Sequence, residues 1–360
     1  MNKNNYVAIM AGGIGSRFWP MSRTTLPKQF LDILNTGKTL LQSTYDRFIK
    51  FIPNENIYIV TAEEYISIVQ QQLPDLPAGN IIWEPERKNT APCVALISIK
   101  LKKLNPDANL IVAPSDHLIL DEKNFEETCL QALSFTANNN AFVTLGIKPT
   151  YANTGYGYIQ FEKVAAENNI HPVKRFTEKP NLKDATEFFN SGSYLWNGGI
   201  FIWKANDIIE AFRNFMPAMF DVFICGAAEL NTPKEKEAIK HIYKYCESVS
   251  IDYAIMEKAK NVFVIPSDFK WSDLGTWNSA WENIEKDYAQ NAVASDNTMM
   301  IDARGCMVHS NEKKLVLVGG VDDLIIVNTP DALLICKKEN EQDIKEYLAK
   351  VKLTKGELYL

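Results

Sequence analysis

"YVAIMAGGIGSRFWPMSRTTLPKQF", residues 6–30, begins as a short apolar run with β-branched Val7 and Ile9, then breaks into Gly12, Gly13 and Gly15 and the cations Arg17, Arg23 and Lys28. A β-branched run that stops at glycine reads as a strand, with the glycines as the turn out of it. Comparable runs recur as "NIYIVTA" (56–62), "NIIWEP" (80–85), "NLIVAPSD" (109–116) and "AFVTLGI" (141–147). Between them lie segments such as "TLLQSTYDRFIKF" and "NTAPCVALISIKLKKL", whose apolar residues fall at helical spacing. This alternation specifies an α/β fold, a mostly parallel sheet flanked by helices on both faces. Ligands of such sheets sit beyond the carboxyl ends of the strands. The unusual residues fall there, at 12–17, 84–90 and 115–117, and are expected to converge on one site.

From residue 151 the pattern changes. "TGYGYIQFE", "VKRFTEKP" and "YLWNGGIFIWKA" read as strands added to the same sheet, and residues 206–260 read as helical. After Asn291 short apolar strands follow at close spacing, "TMMIDA", "CMVHS", "LVLVGG", "LIIVNT" and "ALLICKK", before a terminal amphipathic helix. The expected division is a catalytic domain over 1–288 and a small β unit over 289–360. Roughly 70 residues bury little core alone. The β unit is therefore expected to pack on the first domain or on a second subunit, and a homodimer follows from the latter.

With 46% hydrophobic and 23% charged residues among 360, the composition is that of an ordinary globular protein. A net charge of −6 disfavours nucleic-acid binding, which needs a basic face. The six cysteines are scattered, without a C-x-x-C pair, and read as reduced thiols. No run has the ~20 apolar residues of a membrane span, and the short N-terminal run is no signal peptide, so a cytoplasmic location is expected.

The glycine-rich loop fails both common phosphate fingerprints. Phe18 occupies the third position of G-x-G-x-x-G, which disfavours a dinucleotide-dependent oxidoreductase, and no Gly-Lys-Ser/Thr completes a P-loop. Yet it has what a phosphate cradle needs: glycines that expose backbone N–H groups, and nearby cations.

The segments "MAGGIGSRFWPMSRTTLPKQF", "EPERKNTAPCVAL", "APSDH", "TGYGYI", "FTEKP", "YLWNGGIFIWKA", "SIDYAIMEK" and "WSDLGTW", in this order, resemble the sugar-1-phosphate nucleotidyltransferases. The resemblance covers most of residues 6–277. It implies a Rossmann-like α/β domain with a short left-handed β-helix at the C-terminal end. Some relatives continue into a cupin-like isomerase domain, whereas the transferase alone is expected here. "RFWPMSRTTLPKQF" favours the branch that joins GTP to mannose 1-phosphate. The alternatives are UTP or dTTP with glucose 1-phosphate, or a non-catalytic protein that binds nucleotide sugars.

The resemblance assigns roles residue by residue. Ala11, Gly12, Gly13, Gly15 and Ser16, with Ser115, would cradle the triphosphate, and Arg17 and Lys28 would meet charge on departing pyrophosphate. Asp116 and Asp273 would share one Mg²⁺, which takes one or two carboxylates and completes its shell with phosphate and water. Glu84 would accept from guanine N1 and N2, with Asn89 and Thr90 near the base or ribose. Gly155, Glu178, Lys179 and Asn197 would hold the sugar phosphate. Blander uses stay open. Asp116 could be a helix cap, Asp273 an Asx turn, Asn89 a cap, "EKP" a surface ion pair and "NGG" a tight turn. Arg23 could pair with a carboxylate, and His117 is expected to pack.

Overall fold

The computed structural model describes residues 1–13 and 15–360. Its nine-stranded sheet runs, in spatial order, Ile81–Glu84, Ile57–Ala62, Asn5–Ala11, Asn109–Pro114, Tyr194–Lys204, Phe142–Ile147, Val262–Ser267, His171–Thr177 and Tyr158–Phe161. The first four are mutually parallel. Ile57–Ala62 and Phe142–Ile147 are buried at every position. Tyr194–Lys204 enters antiparallel between Asn109–Pro114 and Phe142–Ile147. The late strands thus extend the one sheet, and the fold is the expected α/β class.

Two readings along the chain need refinement. "TGYGYIQFE" forms a strand only over Tyr158–Phe161, because the residues before it turn. The helical stretch divides into Ala205–Phe215, Pro217–Ala227 and Glu235–Tyr245, followed by the π-helical turn Asp252–Met256. Pro217, which cannot donate a hydrogen bond back into the preceding helix, starts the second of these.

The chain forms two compact units: one of Met1–Gly12, Tyr45–Pro114 and Ile119–Trp271, the other of Gly13–Thr44, Ser115–Leu118 and Ser272–Leu360. The first contains the sheet. Its largest core joins Trp203, Phe212, Phe223, Ile242 and Tyr243 on the helices and strands after residue 194 to Val94 and Ile97 of the helix Thr90–Leu104.

The second unit is β-helical. Ala292, Met307 and Ile325 stack in successive parallel rungs, as do Val293, Val308 and Ile326. A second wall pairs Thr298–Ile301 with Val316–Gly319, also in parallel. These strands obtain their core from the opening loop: Phe18, Met21, Leu31 and Ile33 are buried together with Trp277, Met307, Ile325 and Val327. Phe18 meets Trp277 edge-on at 4.9 Å. Arg23 donates to the Tyr359 carbonyl and pairs with Asp331 at 2.8 Å, so its charge is spent tying the loop to the C-terminal segment.

Candidate active site

In the second unit the opening loop turns at Gly15, whose φ of +66° lies in the left-handed region that favours glycine. A methyl group there would stand 2.4 Å from Lys28 Cγ. The short 3₁₀ turn Ser16–Phe18 follows, and Gln29 Nε2 donates to the Gly13 carbonyl. Arg17 Nε is buried with no hydrogen-bond partner among the described residues. A buried unpaired cationic donor is costly, and an anionic ligand relieves it.

Lys28 is the centre of this unit's polar cluster. Its ammonium pairs with Asp116 Oδ2 at 2.9 Å and donates to the carbonyls of Asp273 at 3.1 Å and Leu274 at 2.8 Å. An ammonium has three donors, and all three are engaged. Lys28 therefore holds the two aspartates in one neighbourhood. Burial pushes the Asp116 carboxyl up, but Lys28, His117 and local hydrogen bonds outweigh this and leave it below its ordinary value. It is a carboxylate at neutral pH.

The cap alternative for Asp116 fails, since the helix Glu122–Asn138 is capped by Asp121, whose side chain accepts from Asn124 N. Asp273 does close an Asx turn on Gly275 N at 3.1 Å. The Asp116 and Asp273 carboxylates are hard-oxygen donors of the kind Mg²⁺ takes. Among the described residues no group of three or more His, Cys, Asp and Glu could hold a metal ion. An ion on Asp116 and Asp273 would thus draw further ligands from phosphate or water.

The first unit carries the other candidates. Glu84, at the end of its strand, lines a cleft of ≈ 620 Å³ with Ala62, Glu63, Glu64, Pro85, Glu86 and Arg87. It is 8% exposed, and Tyr243 Oη donates to its Oε1 at 2.7 Å. Burial raises the Glu84 carboxyl to about 7, against the lowering effect of the Tyr243 hydrogen bond. A Cβ on Gly12 would lie 3.7 Å from Glu84 Oε2, so the ends of the first and third strands do meet here. Asn89 is a helix cap, its Oδ1 accepting from Thr90 N at 3.0 Å. Thr90 Oγ1 accepts from Ile251 N at 2.8 Å.

Glu178, Asn197 and Lys179 also gather in this unit. Lys179 Nζ pairs with Glu178 Oε1 at 2.5 Å, and the Glu178 side chain is only 7% exposed, against 60% for Lys179. Asn197 Oδ1 accepts from Thr144 Oγ1 and Gly199 N, while its Nδ2 donates to Asp252 Oδ1 at 3.0 Å. Of the two glycines in "TGYGYI", Gly157 makes the close approach: a Cβ there would lie 2.5 Å from Glu178 Oε2 and 3.2 Å from Asn197 Cβ. Gly155 instead closes a turn, its N–H donating to Asn153 Oδ1 at 2.7 Å. Burial first, and then the neighbouring Glu178 charge, push the Asp252 carboxyl up to about 6.

Sequence reasoning misses Tyr243 and Asp252 as site residues. Tyr243 sits at a helical core spacing that gives no hint of its hydroxyl's partner. Asp252 lies inside "SIDYAIMEK", where the family resemblance is the only signal.

Known proteins resemble this chain over most of its length. The nucleotidyl transferase family model matches residues 6–290, and the MannoseP isomerase/GMP-like beta-helix domain matches residues 296–351. A mannose-1-phosphate guanylyltransferase of Salmonella montevideo is 39% identical over 96% of this chain and 73% of its own length. Mannose-1-phosphate guanylyltransferase 2 of Escherichia coli O157:H7 is 36% identical over 98% of this chain and 74% of its own. The crystal structure of a Thermus thermophilus protein, described as mannose-1-phosphate geranyltransferase, superposes with a TM-score of 0.87 at 29% identity, over 97% of this chain and 99% of that one. The chain belongs to the nucleotidyl transferase family, and within it to the mannose-1-phosphate guanylyltransferases.

Proposed function

We propose that the protein transfers GMP from GTP to mannose 1-phosphate, giving GDP-mannose and pyrophosphate. A phosphate oxygen of the sugar phosphate attacks the α-phosphorus in line. The bond from that phosphorus to the β-bridging oxygen breaks, and pyrophosphate leaves with the electron pair. Such transfers need little covalent help from protein groups, so positioning and charge stabilisation carry the rate.

Glu84 supports the guanine assignment most directly. A buried carboxylate that lines a cleft, with one oxygen accepting from Tyr243, offers acceptors to the paired N1 and N2 donors of guanine. Ala11, Gly12, Gly13, Gly15 and Ser16, with Ser115, cradle the triphosphate, and Arg17, with its unpartnered buried Nε, meets the leaving pyrophosphate. Lys28 orders Asp116 and Asp273 and adds its charge to the same cluster. Those two aspartates hold Mg²⁺, which when bound neutralises phosphate charge. Glu178, Lys179 and Asn197 receive the sugar phosphate, with Gly157 providing room. Asn89 shapes the nucleotide side by capping the helix that begins at Thr90.

The test crosses GTP, ATP, UTP and dTTP with mannose 1-phosphate and glucose 1-phosphate and measures pyrophosphate release in Mg²⁺. Greatest release with GTP and mannose 1-phosphate is expected. A maximum with another nucleotide would remove Glu84 from base selection, a maximum with glucose 1-phosphate would remove Glu178 and Asn197 from sugar selection, and no release with any pair would favour a binding protein.

Gly15→Ala is expected to lower that turnover by at least ~10-fold, because the new methyl group pushes on the middle of the Lys28 side chain. The left-handed backbone adds about 1 kcal/mol of strain. Parallel assays and thermal melts check it; turnover within twofold of the unaltered protein would show that Lys28 tolerates the shift.

A homodimer through the β-helical strands belongs to the same reading. Met299 and Leu317 lie opposite each other across the parallel pair and are 49% and 57% exposed, with Ile301 and Leu315 exposed nearby. Contiguous apolar surface of this kind marks a protein contact. Sedimentation should give a dimer at micromolar concentration, and a pure monomer would reject the interface. A cytoplasmic location fits the six free thiols, and no helix among the described residues is long and apolar enough to cross a membrane.

A further inference from the structure

Between the helix Glu235–Tyr245 and the π-helical turn Asp252–Met256 runs an irregular segment that neither substrate role uses. The residues that bracket it, Tyr243 and Asp252, differ in what they touch. At one end Tyr243 Oη donates to Glu84, the carboxylate assigned to the base. At the other Asp252 accepts from Asn197, in the cluster assigned to the sugar.

Between these ends the segment is pinned repeatedly to the loop that joins Glu84 to the helix Thr90–Leu104. Lys88 Nζ donates to the carbonyls of Tyr243 and Cys246. Ala91 N donates to the Val249 carbonyl at 3.0 Å, and Ile251 N donates to Thr90 Oγ1 at 2.8 Å. Ile251 is 1% exposed, so its N–H has little access to water as a substitute partner. Resting on the functional reading above, we propose that residues 243–252 are a strap through which Thr90 and Lys88, on the nucleotide side, set the position of Asp252 and Asn197 on the mannose 1-phosphate side.

The geometry gives Thr90 a specific task. It is the last pin before Asp252, one residue beyond Ile251, so a shift there is transmitted directly into the hydrogen bond to Asn197. Asn197 has little slack, since its Oδ1 is already shared between Thr144 and Gly199. Thr90 is thus a positioning residue for the sugar phosphate, although its place in sequence beside Asn89 assigns it to the nucleotide.

Thr90→Val removes the acceptor and keeps the shape, whereas Thr90→Ser keeps the acceptor. Steady-state kinetics with GTP, mannose 1-phosphate and Mg²⁺ should show the KM for mannose 1-phosphate raised about 10-fold in Thr90→Val, the loss of one buried hydrogen bond. The KM for GTP should move less than twofold, and Thr90→Ser should restore both. Should Thr90→Val fail to fold, Lys88→Met, which releases the other end of the strap, should give the same selective rise. A rise confined to the KM for GTP, or no change in either constant, would overturn the strap. Absence of turnover in the unaltered protein would instead overturn the functional reading on which it rests.

Discussion

Replacing Lys28 by methionine should lower the rate of pyrophosphate release at saturating GTP and mannose 1-phosphate by about 10³-fold, the scale set by loss of a preorganised charged donor. The ammonium binds the Asp116 carboxylate and the carbonyls of Asp273 and Leu274 together, and methionine can bind none of them. The same change leaves Asp116 without its cation. Its side chain is 24% exposed and that of Lys28 10%, so breaking the pair should destabilise the fold by about 3 kcal/mol. Thermal unfolding separates the two effects, because a folded protein assayed well below its melting temperature reports chemistry alone. Retention of more than a tenth of the turnover would show that the aspartates stay in place without Lys28.

Glu84→Gln should move activity and stability in opposite directions. A glutamine keeps an oxygen for Tyr243 but turns an N–H donor toward the guanine donors, so the preference for GTP over ATP should fall by ~10²-fold or more. Stability follows from the raised carboxyl. The native protein holds the Glu84 proton up to about pH 7, whereas the ordinary value is 4.5. Between those limits folding takes up a proton, so stability falls as pH rises, and above pH 7 the buried charge costs about 3 kcal/mol. Glu84→Gln should therefore melt higher than the unaltered protein at pH 8 and little differently at pH 4.5. In the unaltered protein, affinity for GTP should weaken as pH drops below about 7 and the carboxylate is lost. An unchanged nucleotide preference would take Glu84 out of base reading, and equal melting temperatures at pH 8 would show that its charge is solvated.

What the sequence disclosed here follows from the range of the interactions involved. The strands at 56–62 and 141–147 were legible because burial on both faces writes an unbroken apolar run, and the turns were legible from glycine. The company kept by each side chain was less so. Lys28 reads as a free cation in "LPKQF", yet its three donors are taken by residues far along the chain at 116, 273 and 274. Arg23, for which the sequence leaves a carboxylate partner open, is committed to Tyr359 and Asp331. Gly155 and Gly157 are indistinguishable in "TGYGYI"; only the packing of Glu178 and Asn197 separates them. Thr90 and Asn89 look alike as nucleotide contacts, and the irregular part of the strap, residues 246–251, which employs Thr90, has no periodicity to reveal it. The β-helical strands looked too few for a core because the opening loop, which supplies Phe18 and Met21 to it, lies some 270 residues earlier.

The most direct test is phosphorus NMR of the protein incubated with GTP, mannose 1-phosphate and Mg²⁺. The account predicts that the GTP and sugar-phosphate signals decline together while the two coupled diphosphate resonances of GDP-mannose and the single resonance of pyrophosphate grow in equal amounts. Release of inorganic phosphate with GDP, or a mannose 1-phosphate signal that persists unchanged while GTP is consumed, would contradict it.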